Sequence, residues 1–284
     1  MKLRRLMRGL KTRLRIARER FVVRDPVIHL YCLCWNEERM LPFFFRHYDD
    51  LVARYFVFDN GSTDRSIDLL ARHPKVTLGE FRTIGESVIK AAPTFYETVW
   101  HGSRREADWI FIVNIDELLY HPDGKDYFKR CMRRGQTVVP AVGYEMIAED
   151  FPHPESNLPD SITSGVRETE MDKTCAFRPR AIRKIRYALG RHSANPRGHV
   201  SYPPVPELHL LHYKYLGEAY LIERSAELGA RTPDSDRKKG LGFQYFRSRE
   251  HIIERHRSLM RKAVPVPGLV DRHRHDPSLS HAAP

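Results

Sequence analysis

The sequence predicts an α/β fold with a mostly parallel central sheet flanked by helices. Apolar, strand-like runs alternate with helix-like stretches through the first half of the chain, and these runs have no polar face. Alternation of this kind implies parallel strands joined by helices, and continuous apolar runs are typical of strands covered on both sides. Three of these runs end in polar clusters, and open α/β sheets bind ligands at the carboxyl ends of their strands.

The elements follow one another in a regular order. Four strands are predicted in the first half, at residues 27–35, 55–58, 76–81 and 109–113. Helices are predicted between them, at 36–50, from the capping Ser62 or Thr63 onward, and at 86–105 with an interruption at Pro93. A further strand is predicted at 137–147, followed by a Pro-rich loop at 149–166 and an apolar run at 208–215.

Three segments are expected along the chain: a basic amphipathic helix at residues 1–24, one α/β domain at 25–262, and a disordered Pro/His/Arg tail at 263–284. Much of the net charge of +12 lies in the first segment, where Glu19 is the only acid. Its apolar residues recur at three- and four-residue steps. Such a helix either lies on an anionic membrane surface or packs on the domain as a solvated extension, and both interpretations stay open.

Four cysteines are too few for a disulfide scaffold, and Cys32-Leu-Cys34 lacks the spacing of a zinc knuckle. We interpret the cysteines as core residues in a reducing compartment. No apolar run approaches the ~18 residues that a membrane span requires, and the N-terminus does not resemble a signal peptide. We therefore expect a cytoplasmic protein, peripheral on the inner face of the cell membrane if the basic helix binds lipid.

Polar clusters follow three of the predicted strands, at Asn36-Glu37, Asp59-Asn60-Gly61 and Asn114 to Glu117. Since parallel strands end at one edge of a sheet, these clusters are expected to line one crevice. Asn114 and Asp116 are two residues apart in an extended segment, so they share a face. A carboxylate at a strand end can hold a hard divalent cation that bridges substrate phosphates.

These motifs occur in an order that resembles a known family. Cys34-Trp-Asn-Glu-Glu38, Phe58-Asp-Asn-Gly-Ser-Thr-Asp64 and Asn114-Ile-Asp-Glu117 resemble the family 2-like glycosyltransferases of the GT-A fold. Four later segments resemble the bacterial branch of this family: Gly143-Tyr-Glu-Met146, Asp172-Lys-Thr174, Gly190-Arg-His-Ser-Ala194 and Leu210-Leu-His-Tyr-Lys214. The resemblance covers residues 27–250.

The resemblance implies that the protein transfers a sugar from a nucleotide-sugar donor, expected to be a UDP-sugar, with Mn²⁺ or Mg²⁺ as cofactor. Asp59 would read the base, and Asp116 would be the metal ligand that holds the donor diphosphate, with His212 as an additional ligand. The other donor-binding candidates are Asn36, Glu37, Asn60, Asn114, Lys173 and Lys214. Asn114 departs from the family pattern, which has Asp there, so it supplies no charge.

The transfer needs a carboxylate that removes the proton of the acceptor hydroxyl in an inverting displacement. Glu145, Asp150 and Asp172 are the catalytic candidates, with Glu149 beside them, and the sequence does not choose among them. The acceptor is expected to be a saccharide or another hydroxyl compound, such as a glycan or a lipid-linked acceptor.

Three other functions would account for parts of the sequence. A basic nucleic-acid-binding protein would explain the charge, but the sequence contains no recognisable nucleic-acid module and no zinc spacing. A nucleotidyl- or phosphotransferase would keep the fold, but the chain has neither a G-x-x-x-x-G-K-[ST] loop nor a G-x-G-x-x-G turn. A non-catalytic relative that binds sugar nucleotides stays open because of Asn114.

Overall fold

The computed structural model describes residues 24–83 and 87–269, together with Met7, Leu10, Leu14 and Phe21. Most of the predicted N-terminal helix and of the predicted tail therefore lies outside the described residues. Met7, Leu10 and Leu14 are helical, and their side chains are exposed. No helix among the described residues is long and apolar enough to cross a bilayer.

The described chain alternates strands and helices. The strands are β1 (Ile28–Cys34), β2 (Arg54–Asp59), β3 (Val76–Glu80), β4 (Trp109–Ile112), β5 (Glu117–Tyr120), β6 (Val138–Ala148), β7 (Ser164–Arg167), β8 (Lys173–Phe177), β9 (Ile182–Lys184), β10 (Arg197–Gly198), β11 (Leu208–Leu216) and β12 (Val264–Pro265). The α-helices are α1 (Leu41–Tyr48), α2 (Ser66–Arg72), α3 (Val88–Thr98), α4 (Gly124–Arg133), α5 (Leu158–Ser161), α6 (Glu218–Arg231), α7 (Asp234–Arg237) and α8 (Arg249–Lys262). Short 3₁₀ turns occupy Val99–Arg105, Thr169–Met171, Leu189–Arg191 and Phe243–Phe246.

The central sheet has the order β12-β7-β6-β8-β4-β1-β2-β3, and β11 joins it by pairing with β5 and β6. Pairing is parallel through β3, β2, β1 and β4, and again between β6 and β11. Strands β5, β7, β8 and β12 add antiparallel pairs in the second half. The predicted α/β class with a mostly parallel central sheet flanked by helices is confirmed.

The chain reverses its direction of travel across the sheet at β1. It proceeds from β1 to β2 and β3 on one side, then returns to place β4 on the other side of β1. A reversal of this kind leaves a crevice at the carboxyl ends of the two strands that flank it, because the helices that follow them lie on opposite faces of the sheet. The exits of β1 and β4 therefore define the expected ligand-binding edge.

Both faces of the central strands are buried, which explains their uninterrupted apolar character. Leu30 and Cys32 of β1 pack into the larger core cluster, while Tyr31 packs into a second cluster on the other face. Tyr31 stacks on Phe56 of β2, with ring centroids 4.6 Å apart. The four cysteines are buried free thiols.

The packed chain continues beyond residue 262. Val264 and Pro265 pair with β7, while Val266 and Leu269 are fully buried in the larger core cluster. The ordered domain thus extends into the segment predicted as a tail, because local Pro and His content does not reveal that these apolar side chains close the edge of the core.

Candidate active site

The three polar clusters lie at one edge of the sheet. Asp59 is the last residue of β2, Asn36 and Glu37 follow β1, and Asn114 and Asp116 follow β4. β1 pairs in parallel with both β2 and β4, so these strand ends point the same way. The structure therefore brings Asp59 and Asp116 to the same edge, separated by the exit of β1.

The centre of this edge is a row of three side chains, Asp116, His212 and Glu145. The His212 Nε2 lies 3.2 Å from the Asp116 Oδ2, and its Nδ1 lies 2.8 Å from the Glu145 Oε2. The pairing of β11 with β6 places His212 directly opposite Glu145, and a backbone bond from Tyr213 N to Asp116 O holds the third member in place. These contacts join residues that are far apart in the chain.

The row is strongly charged. Burial lowers the pKa of His212, but Glu145 and Asp116 outweigh burial and raise that pKa to about 10. Burial also raises the pKa of Asp116, but the opposing effect of His212 is larger and the net pKa is below its ordinary value. The ring of His212 therefore carries a proton at neutral pH, beside the ionised carboxylate of Asp116.

Asp116 and His212 have the chemistry to hold a divalent cation. A carboxylate oxygen and an imidazole nitrogen side by side suit Mn²⁺, and a ligating histidine commonly donates its other ring nitrogen to a carboxylate, here that of Glu145. The Asp116 side chain is 28% exposed, so it is accessible from the crevice. Within 24–83 and 87–269, no group of three or more His, Cys, Asp and Glu side chains is arranged as a complete metal site. A bound ion would need further ligands from substrate or water.

Glu117, the residue after Asp116, points into the interior and has a structural environment. Its carboxylate lies 2.5 Å from the Lys173 Nζ and 2.6 Å from an Arg191 guanidinium nitrogen, and all three side chains are buried. Burial raises the pKa of Glu117, but the two cations outweigh burial and hold it well below its usual range. Lys173, predicted to bind the donor, is thus placed in a buried ion pair beneath the crevice.

Asn114 is held by the same buried group. Its amide nitrogen donates to Glu117 at 3.3 Å, and its amide oxygen accepts from Arg191 at 2.8 Å. Arg191 also donates to the carbonyl of Ile112 at the end of β4. The amide of Asn114 therefore accepts a hydrogen bond from a cation and braces the turn that presents Asp116. Arg191 was not a candidate from the sequence, although it stands inside the Gly190-Arg-His motif.

Two arginines of α6 lie above the exits of β1 and β2. Arg224 contacts the Glu37 carboxylate and donates to the carbonyls of Asn36 and Trp35, and Arg231 donates to the carbonyl of Asn60 at 2.8 Å. Both guanidinium groups lie over the Trp35 ring, 5.4 and 4.2 Å from its centroid. Burial raises the pKa of Glu37 to about 8, against the opposing effect of Arg224.

The motifs did not single out these arginines. They are seven residues apart on one helix, which puts them on the same face. That spacing is the sequence feature from which a pair of neighbouring arginines could have been predicted. Burial and the neighbouring charge of Arg224 lower the pKa of Arg231 to about 10, with Asp59 opposing this. The crevice therefore has a cationic wall facing its carboxylates.

The remaining candidates are distributed around this centre. Asp59 accepts from the backbone N–H groups of Gly61 and Ser62, and Asn36 accepts from Thr63, so the two strand exits are tied together. Asp172 accepts from Gly143 N and from Arg167.

Two further candidates lie away from the buried ion pairs. Asp150 is exposed just beyond β6. Lys214 is half-buried on β11, with its ammonium 5.5 Å from the Tyr215 ring. The structure does not bring Asp150, Asp172 and Lys214 into the Asp116–His212–Glu145 row.

No protein-family model and no curated protein matches the chain. Solved structures similar to it include residues 1–349 of Staphylococcus aureus TarS, at 10% identity and a TM-score of 0.38, covering 71% of this chain and 65% of that one. Glucosyl-3-phosphoglycerate synthase from Mycobacterium tuberculosis, solved with Mn²⁺, UDP and glucosyl-3-phosphoglycerate, matches at 13% identity and a TM-score of 0.30, covering 46% and 47%. A 4-diphosphocytidyl-2C-methyl-D-erythritol synthase matches at 12% and 0.31, covering 57% and 79%.

These neighbours are GT-A glycosyltransferases and a nucleotidyltransferase. The sequence resemblance and these neighbours name the same kind of fold. The chain spans less than two thirds of the length of the first two. Similarities at these identities and TM-scores do not assign an activity, which has to be argued from the residues of this chain.

Proposed function

We propose that the protein is a metal-assisted glycosyltransferase that uses a nucleoside diphosphate sugar as donor. The observation that carries the proposal is the Asp116–His212–Glu145 row at the exit of β4, where the chain reverses across the sheet. A sheet edge of this kind is the usual ligand site of open α/β folds. Asp116 and His212 would hold Mn²⁺ or Mg²⁺, which supplies a Lewis acid for the charge on a leaving diphosphate.

The cationic wall formed by Arg224 and Arg231 supports a donor that contains a diphosphate. Arg224 and Arg231 lie over one indole ring, and Arg231 has a lowered pKa because of burial and of Arg224. An anion between the wall and Asp116 would offset the repulsion between two guanidinium groups, and planar guanidinium groups bind phosphate oxygens in pairs. Asn36, Glu37, Asp59 and Asn60 would then line the nucleoside side, and Asn114 and Lys173 would support the site from below.

For the acceptor side, we propose an exposed carboxylate as the base in an inverting displacement. Glu145 bonds His212, and Asp172 bonds Gly143 and Arg167, so both have positioning contacts already. Asp150 is exposed and precedes Phe151, whose ring lies 4.7 Å from that of Tyr220 beside Glu37. We favour Asp150 as the base, with Lys214 as a further cation near the acceptor, a saccharide or another hydroxyl compound such as a lipid-linked glycan.

The proposal extends to the nucleobase of the donor and to the cellular compartment. A UDP-sugar is what the sequence resemblance implies, and other nucleoside diphosphate sugars share the same diphosphate chemistry. The free, buried cysteines support a reducing compartment such as the cytoplasm. A nucleotidyltransferase would use the same edge but would release pyrophosphate, so product analysis separates the two reactions.

The test is an activity assay of purified protein with Mn²⁺ and a panel of nucleoside diphosphate sugars, with slow donor hydrolysis or transfer to sugar acceptors as readout. Asp116→Ala should lower the rate at least ~100-fold, because the metal loses a charged ligand. Its melting temperature should stay near that of the wild type. Asp68→Ala, at an exposed acid of α2, is the matched control and should keep full activity. An Asp116→Ala protein with undiminished turnover would overturn the assignment.

A further inference from the structure

A cavity of about 600 Å³ lies beside the cationic wall, between the ends of β2 and β3 and helices α6 and α7. Asp59 and Asn60 line it at the strand ends, Leu228 and Arg231 line it from α6, and Asp236 lines it from α7. Its volume is in the range of pockets that hold small ligands. Arg231 belongs both to this cavity and to the wall over Trp35, so the two features adjoin.

Asp236 is the unusual member of this lining. Its side chain is 1% exposed, and its Oδ1 has no hydrogen-bond partner within 24–83 and 87–269. The Asn60 Oδ1, another oxygen of the same lining, is likewise buried without a partner there. Lys90 of α3, which is exposed, interacts with Asp236 electrostatically. Buried carboxylate oxygens are costly unless something donates to them, so two such acceptors in one cavity point to a ligand with N–H donors.

We propose that this cavity binds the nucleobase of the donor, and that Asp236 selects a base that carries an exocyclic amino group. The inference rests on the proposed function, because it locates the nucleobase of a nucleoside diphosphate sugar whose diphosphate would lie along the cationic wall. Asp236 enters the site from α7, outside the motifs that follow the strands.

The chemistry of the lining favours some bases over others. Asp59, Asn60 and Asp236 all present oxygen acceptors, whereas the pairing edge of uracil presents two carbonyl oxygens around one N–H. An amino group of guanine, adenine or cytosine donates where a uracil carbonyl would face a carboxylate. Guanine matches best, because its ring N–H and its amino group can both donate to one carboxylate.

The rest of the cavity suits the flat faces of a base. Val88, Leu228 and Pro233 supply apolar surface, and Tyr245 supplies an aromatic ring. Stacking of a base on an aromatic side chain is typically worth ~1–3 kcal/mol and tolerates any base. Stacking would therefore contribute affinity for every base, while Asp236 would decide among them.

The experiment measures binding of GDP, ADP, CDP and UDP by calorimetry in the presence of Mn²⁺. We expect the wild type to bind GDP at least ~10-fold more tightly than UDP, since unpaired polar groups penalise the wrong ligand. Asp236→Asn keeps the shape but replaces one acceptor oxygen with a donor, so it should weaken GDP binding at least ~10-fold and leave UDP binding little changed. Asp234→Asn is the matched control, on the same helix with a side chain 86% exposed, and should bind like the wild type.

A second variant, Leu228→Trp, should fill the cavity and weaken all four diphosphates together. If Asp236→Asn lowers the melting temperature, this variant decides the question, and unchanged binding to it would overturn the cavity as the base site. UDP as the tightest ligand, or Asp236→Asn without effect on GDP, would overturn the selectivity while leaving the proposed function intact. If no nucleoside diphosphate binds the wild type, both the inference and the proposed function fail.

Discussion

His212 is the residue on which the proposed chemistry of this protein depends most. Its ring is held from both sides, by Asp116 at 3.2 Å and by Glu145 at 2.8 Å. Only the side toward Asp116 opens on the crevice, since the Asp116 side chain is 28% exposed and that of Glu145 is 10% exposed. Glu145 is therefore placed to fix the ring, whereas Asp116 and the ring would together face an ion bound at the proposed site.

This arrangement gives Glu145 a positioning role that can be separated from a catalytic one. Glu145→Gln weakens the bond that orients His212, and loss of such a supporting contact typically costs ~10–100-fold in metal affinity. We expect the Mn²⁺ concentration for half-maximal activity to rise by that factor, with turnover recovered at saturating Mn²⁺. A turnover that stays low at every Mn²⁺ concentration would instead make Glu145 the base. Asp150→Asn removes the carboxylate that we favour as the base, so its turnover should stay low at every Mn²⁺ concentration.

Adjacent residues at the exit of β4 have opposite surroundings. Asp116 faces the crevice, while Glu117 is fully buried between Lys173 and Arg191. Ile115 and Asp116 form a turn that a backbone hydrogen bond from Glu117 N to Asn114 O closes. One turn can therefore present Asp116 to the crevice and anchor itself through Glu117. The anchored carboxylate also holds Asn114, which explains why an amide is suitable at that position.

At the scale of elements, α6 determines the electrostatic character of the crevice. It follows β11 directly after Gly217, whose positive φ of 87° is readily adopted by glycine. An added Cβ at Gly217 would lie 3.0 Å from the backbone of residues 149 and 150, so the close approach also requires glycine. The turn lays α6 across the strand exits, and the seven-residue spacing brings Arg224 and Arg231 to the same ring.

The N-terminal segment is the second element with a testable role. Met7, Leu10 and Leu14 are helical and between 49% and 58% exposed, so the described apolar side chains of this segment are not covered by the domain. Arg24, at its end, is anchored by an ion pair with Asp108 at 2.6 Å. Exposed apolar residues among many basic ones are typical of helices that lie on anionic lipid.

We expect the wild type to co-sediment with phosphatidylserine-containing vesicles and much less with pure phosphatidylcholine vesicles. The double variant Leu10→Ser, Leu14→Ser should weaken binding at least ~10-fold, since burial of each leucine contributes ~1.5–3 kcal/mol. Ile67→Ser, at a 40% exposed position on α2, is the control and should bind normally. Equal binding of the double variant and the wild type would exclude membrane binding through these leucines.

At the scale of the whole molecule, one large sheet carries the crevice at the carboxyl ends of β1, β2 and β4. Its far edge is closed by β12 and the residues after it, where Val266 and Leu269 are 0% and 1% exposed. The core thus depends on side chains that lie beyond α8. The position of the domain boundary is a matter of packing rather than of local composition.

Leu269→Ala tests that closure. Removal of a fully buried leucine side chain typically costs ~2–5 kcal/mol, so the free energy of unfolding in urea should fall by that amount. Val264→Ala, at a position 56% exposed on β12, should change it by less than ~0.5 kcal/mol. Equal stability of the two variants would show that the domain ends before Val266.

The sequence alone determined the first half of the fold and the placement of its polar clusters. Apolar runs that alternate with helices specify β1 to β4, and Asp59 and Asp116 stand at strand ends because each run stops there. These are local patterns, repeated within a few tens of residues, and such patterns can be recognised in the sequence without a structure.

Only the tertiary structure decided how the site is assembled. Glu145 meets His212 because β6 pairs with β11, and Arg191 and Lys173 meet at Glu117 from separate turns and strands. Nothing in the local sequence sets the register between strands so distant along the chain. The partners of a buried charge are chosen by that register, since an ionised side chain in the interior is stable only where opposite charges reach it.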